Sequence, residues 1–119
     1  MAEHNELGKL GEKLAVEFLQ KNGYTILETN WTFQKAEVDI IAQTEDTLAI
    51  IEVKTRSSID FGLPQDFVNP KKIKLLTKAI DNYVVEKDLD LNVRFDIIAI
   101  QKTGKSFVIE HLTDAFYHF

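Results

Sequence analysis

Residues 36–56, AEVDIIAQTEDTLAIIEVKTR, decide how this chain reads. Two apolar runs, Val38-Asp39-Ile40-Ile41 and Leu48-Ala49-Ile50-Ile51-Glu52-Val53-Lys54, flank the polar Glu45-Asp46-Thr47, the pattern of an antiparallel hairpin of buried strands. Such strands should exclude charge, because an isolated ion in a low-dielectric interior costs on the order of several kcal/mol. Asp39, Glu52 and Lys54 interrupt them all the same. Side chains alternate faces along a strand. With Glu45-Asp46 as the turn, Asp39 stands directly opposite Glu52; with Thr44-Glu45, the two are diagonal neighbours. In both registers Glu37, Asp39, Glu52 and Lys54 share a face, whereas a three-residue turn without a bulge separates them.

Two carboxylates and a lysine on one buried strand face need a compensating partner, and a divalent cation with a phosphate group supplies one. Asp39 and Glu52 are oxygen ligands suited to Mg²⁺ or Mn²⁺, and the carbonyl of Val53 between the charged residues is a further donor. Such a cation polarises a phosphoryl oxygen and acidifies water. Lys54 then orients the attacking water or steadies the developing charge. The plainer alternative is a salt-bridged sheet edge with Glu52 and Lys54 beyond the core. The apolar Ile50, Ile51 and Val53, and Asp39 on the matching face, weigh against it.

The 119 residues fit one domain with its own core. The composition, 45% hydrophobic and 28% charged, is that of an ordinary globular protein. No cysteine is present, which removes disulfides and thiolate metal sites and suits a reducing compartment. No apolar run approaches the roughly 20 residues needed to span a bilayer. The polar, acidic start Met1-Ala2-Glu3-His4-Asn5-Glu6 is unlike a secretory signal, so a cytoplasmic location is expected and no membrane partner.

Periodicity predicts a helix over 6–21 with Leu7, Leu10, Leu14, Phe18 and Leu19 inward, Asn5 as N-cap and Asn22-Gly23 as its stop. Strands follow over 24–32, 37–44 and 48–55, then a loop over 56–68. A second helix starts at Asn69-Pro70 and runs to about Lys87, with Ile73, Leu76, Ile80, Tyr83 and Val84 inward. Strands over 93–100 and 106–111 close the chain. The order α-β-β-β-α-β-β describes an α/β domain, a mixed central sheet flanked by helices, with a parallel crossover through the second helix.

Four further features bear on function. Gly8 and Gly11 within the first helix cost roughly 1 kcal/mol each relative to Ala, which a close approach of helix to sheet would explain. That approach brings Glu12 toward the hairpin, although a surface Glu paired with lysines is the simpler reading of the residue alone. The net charge of −5 argues against general affinity for nucleic acid, but residues 69–80 carry four lysines and no acid. Lys71, Lys74 and Lys78 form a helical stripe suited to a phosphate backbone, with Lys72 nearby and Arg56 extending the track, against the alternative of a solvated face. Asp96, between Phe95 and Ile97, is expected to pair with Arg94 or a lysine rather than a metal. Trp31 and Phe33 read as packing before base stacking, and His4, His111 and His118 lack ligand spacing.

Together, Ala36-Glu37-Val38-Asp39-Ile40-Ile41 and Ile51-Glu52-Val53-Lys54-Thr55-Arg56 resemble the YraN family, an uncharacterised bacterial family of the restriction endonuclease-like, PD-(D/E)xK nuclease superfamily. Gly8-Lys9-Leu10-Gly11-Glu12 with Ala15, Asn30-Trp31, Pro70-Lys71-Lys72 with Ala79 and Tyr83, and Phe95-Asp96 extend the resemblance over most of the chain. Ala36 departs from it, standing where the family usually has Gly before Glu. The resemblance implies a single restriction endonuclease-like domain over residues 1–119 and a metal-dependent endonuclease acting on DNA, with branched or structured DNA suggested by a similarity to Holliday-junction resolvases. It places Glu12 with Asp39, Glu52 and Lys54 as the catalytic set. A homodimer suits a two-strand cut. The alternative is a nucleic-acid-binding or protein-interaction module that keeps the fold without turnover.

Overall fold

A computed structural model of the chain describes residues 2–56 and 70–115. The expected loop after Arg56 and the cap residue Asn69 lie outside these residues. Seven elements follow in the expected order: α1 (Ala2–Lys21), β1 (Thr25–Phe33), β2 (Ala36–Thr44), β3 (Thr47–Arg56), α2 (Pro70–Glu86), β4 (Asn92–Thr103) and β5 (Ser106–Leu112). The strands form one sheet in the order β1-β2-β3-β4-β5. Neighbours joined by short turns pair antiparallel, and β3 and β4, separated by α2, pair parallel. Among the described residues, no helix is long and apolar enough to cross a membrane.

The sheet is buried on both faces. On β3, Leu48 and Ile50 pack with Leu76, Ala79, Ile80 and Tyr83 of α2, while Ala49 and Ile51 pack with Ala15 and Leu19 of α1. That two-sided burial is why β3 reads as a nearly continuous apolar run. The β2–β3 turn is Glu45-Asp46, flanked by the pair Thr44 and Thr47. Glu45 has φ 52°, the positive φ that hairpin turns matched to strand twist require at their first central residue.

α1 starts at Ala2 rather than residue 6, so Asn5 lies inside the helix and does not cap it. Its stop is as expected: Gly23 has φ 88°, the Tyr24 N–H donates to the Leu19 carbonyl at 2.9 Å, and the Asn22 side chain donates to the Phe18 carbonyl at 2.7 Å. Leu10, expected inward, is 40% exposed. The buried line is instead Gly11, Ala15 and Leu19, spaced by four, because small residues let the helix settle on β3. A Cβ on Gly11 would fall 2.0 Å from the Thr55 hydroxyl, but one on Gly8 would meet nothing within 4 Å. The close approach therefore accounts for Gly11 and not for Gly8.

Candidate active site

The hairpin opens at Asp39. Pairing between β2 and β3 runs from Thr44 opposite Thr47 to Ile40 opposite Ile51, and ends there. Every second pair of an antiparallel ladder exchanges both hydrogen bonds, so the next such pair after Ile40 and Ile51 would be Val38 and Val53. Instead the Val53 N–H donates to Asp39 Oδ2 at 2.7 Å. The Asp39 carboxylate has taken the place of a ladder carbonyl. Because the N–H and C=O of one residue leave a strand on the same side, the Val53 carbonyl also faces the opened edge.

The opening coincides with a break in alternation. Val38 and Ile41, three residues apart, both belong to the α2-side core, and Ile40 belongs to the α1 side. On β1, the pairs Thr29–Ile40 and Trp31–Val38 straddle Asp39 and leave Asn30, with φ 50°, opposite it. Ala36 and Val38 turn into the core and Glu37 is exposed, while Glu37 still lines one cavity with Asp39 and Glu52.

Glu52 is half-buried between two lysines. Its Oε1 lies 3.4 Å from Lys54 Nζ and accepts a hydrogen bond from Lys72 Nζ. Its Oε2 is buried and has no hydrogen-bond partner among the described residues. A cavity of about 270 Å³ opens beside this carboxylate, lined by Lys35, Glu37, Asp39, Glu52, Lys72 and Leu76 among others. Burial raises the pKa of Asp39 above the usual carboxylate value; the Val53 N–H and Lys54 oppose this, and the charges of Glu12 and Glu52 add to it. Glu12, next to Gly11 on α1 and half-buried, stands within electrostatic reach of Asp39.

The donors that could hold a cation are Asp39, Glu52 and the Val53 carbonyl. Among the described residues no three His, Cys, Asp or Glu side chains form a ready-made cation cluster. Two carboxylates with one orphaned oxygen fit Mg²⁺ better than Ca²⁺, since Mg²⁺ keeps waters and is bound through one or two carboxylates plus substrate phosphates.

The structure divides the basic residues. Lys71, Lys74 and Lys78 are exposed on the solvent side of α2. Arg56, half-buried at the end of β3, directs its guanidinium at the Thr55 carbonyl 3.4 Å away. Lys72 is the residue that sequence reasoning missed. It lies on the buried line of α2 with Leu76, Ala79, Ile80 and Tyr83, a helical spacing that was the available signal.

A second charged cluster lies on the α1 side. Asp96 is fully buried and accepts two bonds from Arg94 (2.9 and 2.8 Å), one from the Asp114 N–H (3.0 Å) and contacts His111 Nε2 at 2.8 Å. Arg94 also donates to the Tyr24 hydroxyl at 2.6 Å. Burial alone would raise the pKa of Asp96, but the bonds from His111, Arg94 and Asp114 hold it below the usual range. The expected pairing with Arg94 is present, and His111, given no role from sequence, completes it. Trp31 packs edge-on against Tyr83 at 5.3 Å and stacks on Phe33 at 6.1 Å, as core packing requires.

The profile described as "Uncharacterised protein family UPF0102" matches residues 11–100, and the chain belongs to this family. A UPF0102 protein of Flavobacterium psychrophilum is 72% identical over 119 residues, the full length of both chains. Others from Flavobacterium johnsoniae and Christiangramia forsetii are 68% and 60% identical, again along both whole chains.

Proposed function

We propose that this member of UPF0102 is a divalent-metal-dependent endonuclease that hydrolyses phosphodiester bonds of DNA, branched or structured DNA included. The observation that carries the reading is the buried Oε2 of Glu52, without a hydrogen-bond partner among the described residues, beside an Asp39 carboxyl whose pKa is raised, at the point where the hairpin opens onto a cavity. A buried carboxylate oxygen without a partner is costly, and a cation removes that cost. Bound there, Mg²⁺ or Mn²⁺ supplies a Lewis acid and lowers the pKa of water. Asp39 and Glu52 hold it with the Val53 carbonyl. Asp39 is fixed in turn by the Val53 N–H, so metal binding demands little rearrangement of β2. Lys54 projects from the rigid β3 and steadies charge as water bonds to phosphorus and the P–O bond to the leaving oxygen breaks. Glu12 adds negative charge from α1, directly or through water. Lys71, Lys74, Lys78 and Arg56 contact the flanking backbone, and a homodimer would let two such sites address two strands.

Paramagnetic Mn²⁺ should broaden NMR signals first at residues 39 and 52–54; broadening confined to surface acids such as Glu45 or Asp88 rules the site out. On linear, flapped and four-way DNA, Lys54→Ala should retain Mn²⁺ binding and lower cleavage by roughly 10²–10³-fold, the scale of losing one group that stabilises transition-state charge. Replacing Lys71, Lys74 and Lys78 with Gln should reduce the salt slope of DNA binding by about 1 per lost phosphate contact. An unchanged slope makes them a solvated face.

One observation favours a second reading. Glu52 already carries two lysine partners, Lys54 and Lys72, so the fold persists as a binding module without turnover if the lysines keep the metal out. Binding of one DNA form by wild type and Lys54→Ala alike, with no cutting of any, selects this alternative.

A further inference from the structure

Resting on that metal-dependent reading, we infer that Lys72 is an exchangeable counter-ion: it holds Glu52 in the metal-free protein and passes to a substrate phosphate once a divalent cation binds. Lys72 stands in the first turn of α2 and hydrogen-bonds Glu52 Oε1 across the interface between α2 and β3. Its side chain is 32% exposed, and the cavity of about 270 Å³ on which it borders gives the ammonium room to move. Lys54 lies farther from the same oxygen, at 3.4 Å, on a strand paired with β4.

Among the described residues, Glu52 Oε2 has no hydrogen-bond partner, so its lone pairs are available there. A cation entering there shares one carboxylate with the ammonium of Lys72, and like charges at such separations repel strongly where water is scarce. The flexible lysine stem yields before the strand does. The displaced ammonium remains at the cavity wall, where a phosphate brought to the cation offers it new acceptors. Metal and Lys72 thus compete for Glu52 and then cooperate on the phosphate.

The test compares wild type, Lys72→Gln and Lys72→Arg by Mn²⁺ calorimetry without DNA, and by anisotropy of a labelled DNA junction in EDTA and in Ca²⁺. Lys72→Gln should bind Mn²⁺ about two- to fivefold more tightly, the scale of removing one partly exposed ion pair. It should also lose the Ca²⁺-promoted part of DNA binding. Lys72→Arg, which keeps the charge, should return Mn²⁺ affinity toward wild type. Equal Mn²⁺ affinity in wild type and Lys72→Gln overturns the exchange while leaving the nuclease reading intact. Tighter Mn²⁺ binding with undiminished Ca²⁺-promoted DNA binding overturns the phosphate half. Failure of wild type to bind Mn²⁺ at all overturns this inference together with the reading beneath it.

Discussion

Asp96 and the Asp39–Glu52 pair are both acids set into the same sheet, yet their surroundings are opposite in kind. Asp96 has every acceptor occupied, by Arg94, His111 and the Asp114 N–H, and its pKa is lowered. Among the described residues, Asp39 has one side-chain hydrogen bond, neighbouring acids and a raised pKa, and Glu52 beside it keeps a buried oxygen without a partner. A saturated network stabilises a fold and has no valence to offer a ligand. An unsaturated one spends stability on keeping binding capacity. Burial of charge alone therefore does not mark the candidate site; incomplete compensation does.

The largest effect that would break this contrast is expected at Asp96. Asp96→Ala removes a buried carboxylate that pairs with the partly exposed Arg94, contacts His111 and accepts from the Asp114 N–H, and should cost about 3 kcal/mol in chemical denaturation. Saturating Mn²⁺ should not alter that loss. A larger loss with Mn²⁺ than without it would mean that Asp96 is also a metal ligand, because only the wild type would then gain the full binding energy.

Next is the contact that sets α1 against the open site. Gly11→Ala places a methyl group on the Thr55 hydroxyl, one residue beyond Lys54, and should destabilise by about 1–3 kcal/mol through overpacking. Gly8→Ala, three residues earlier and without a neighbour, should stabilise by up to about 1 kcal/mol through helix propensity. Equal thermal shifts for the two would disprove the close approach.

The smallest effect concerns pH and sharpens the comparison most. The folded-state pKa of Asp39 lies above its unfolded value of 3.8, so its charge opposes folding above that range and the opposition fades as pH falls toward 3.8. Asp96 lies below 3.8 when folded, so its contribution is present above 3.8 and is lost as pH falls through the folded value. Asp39→Asn should accordingly raise metal-free stability at neutral pH, by less than either loss above, and the gain should shrink on acidification. It should also weaken Mn²⁺ binding. Urea titrations across pH 3–7 read both signs, and a neutral-pH loss for Asp39→Asn would place Asp39 with Asp96 as a structural acid.

Much of this was legible in the chain itself. Alternating and continuous apolar runs, punctuated by Asn22-Gly23, Glu45-Asp46 and Pro70, determined the element order and narrowed the β2–β3 register to two turns, of which the structure has Glu45-Asp46, because side-chain period and turn chemistry are local properties. The family resemblance rested on these same residues. Tertiary structure decided the rest. Strand alternation cannot foresee the slip that puts both Val38 and Ile41 in the α2-side core, since it arises where β2 leaves β3 and the Asp39 carboxylate replaces a ladder carbonyl. Nor does a helical lysine pattern reveal that Lys72, rather than Lys71, Lys74 or Lys78, reaches Glu52. His111 joins Asp96 only because β5 lies beside β4. Local sequence sets which charges share an element; packing of α1 and α2 against opposite faces of the sheet sets which of them meet, and which carboxylate oxygen is left without a partner.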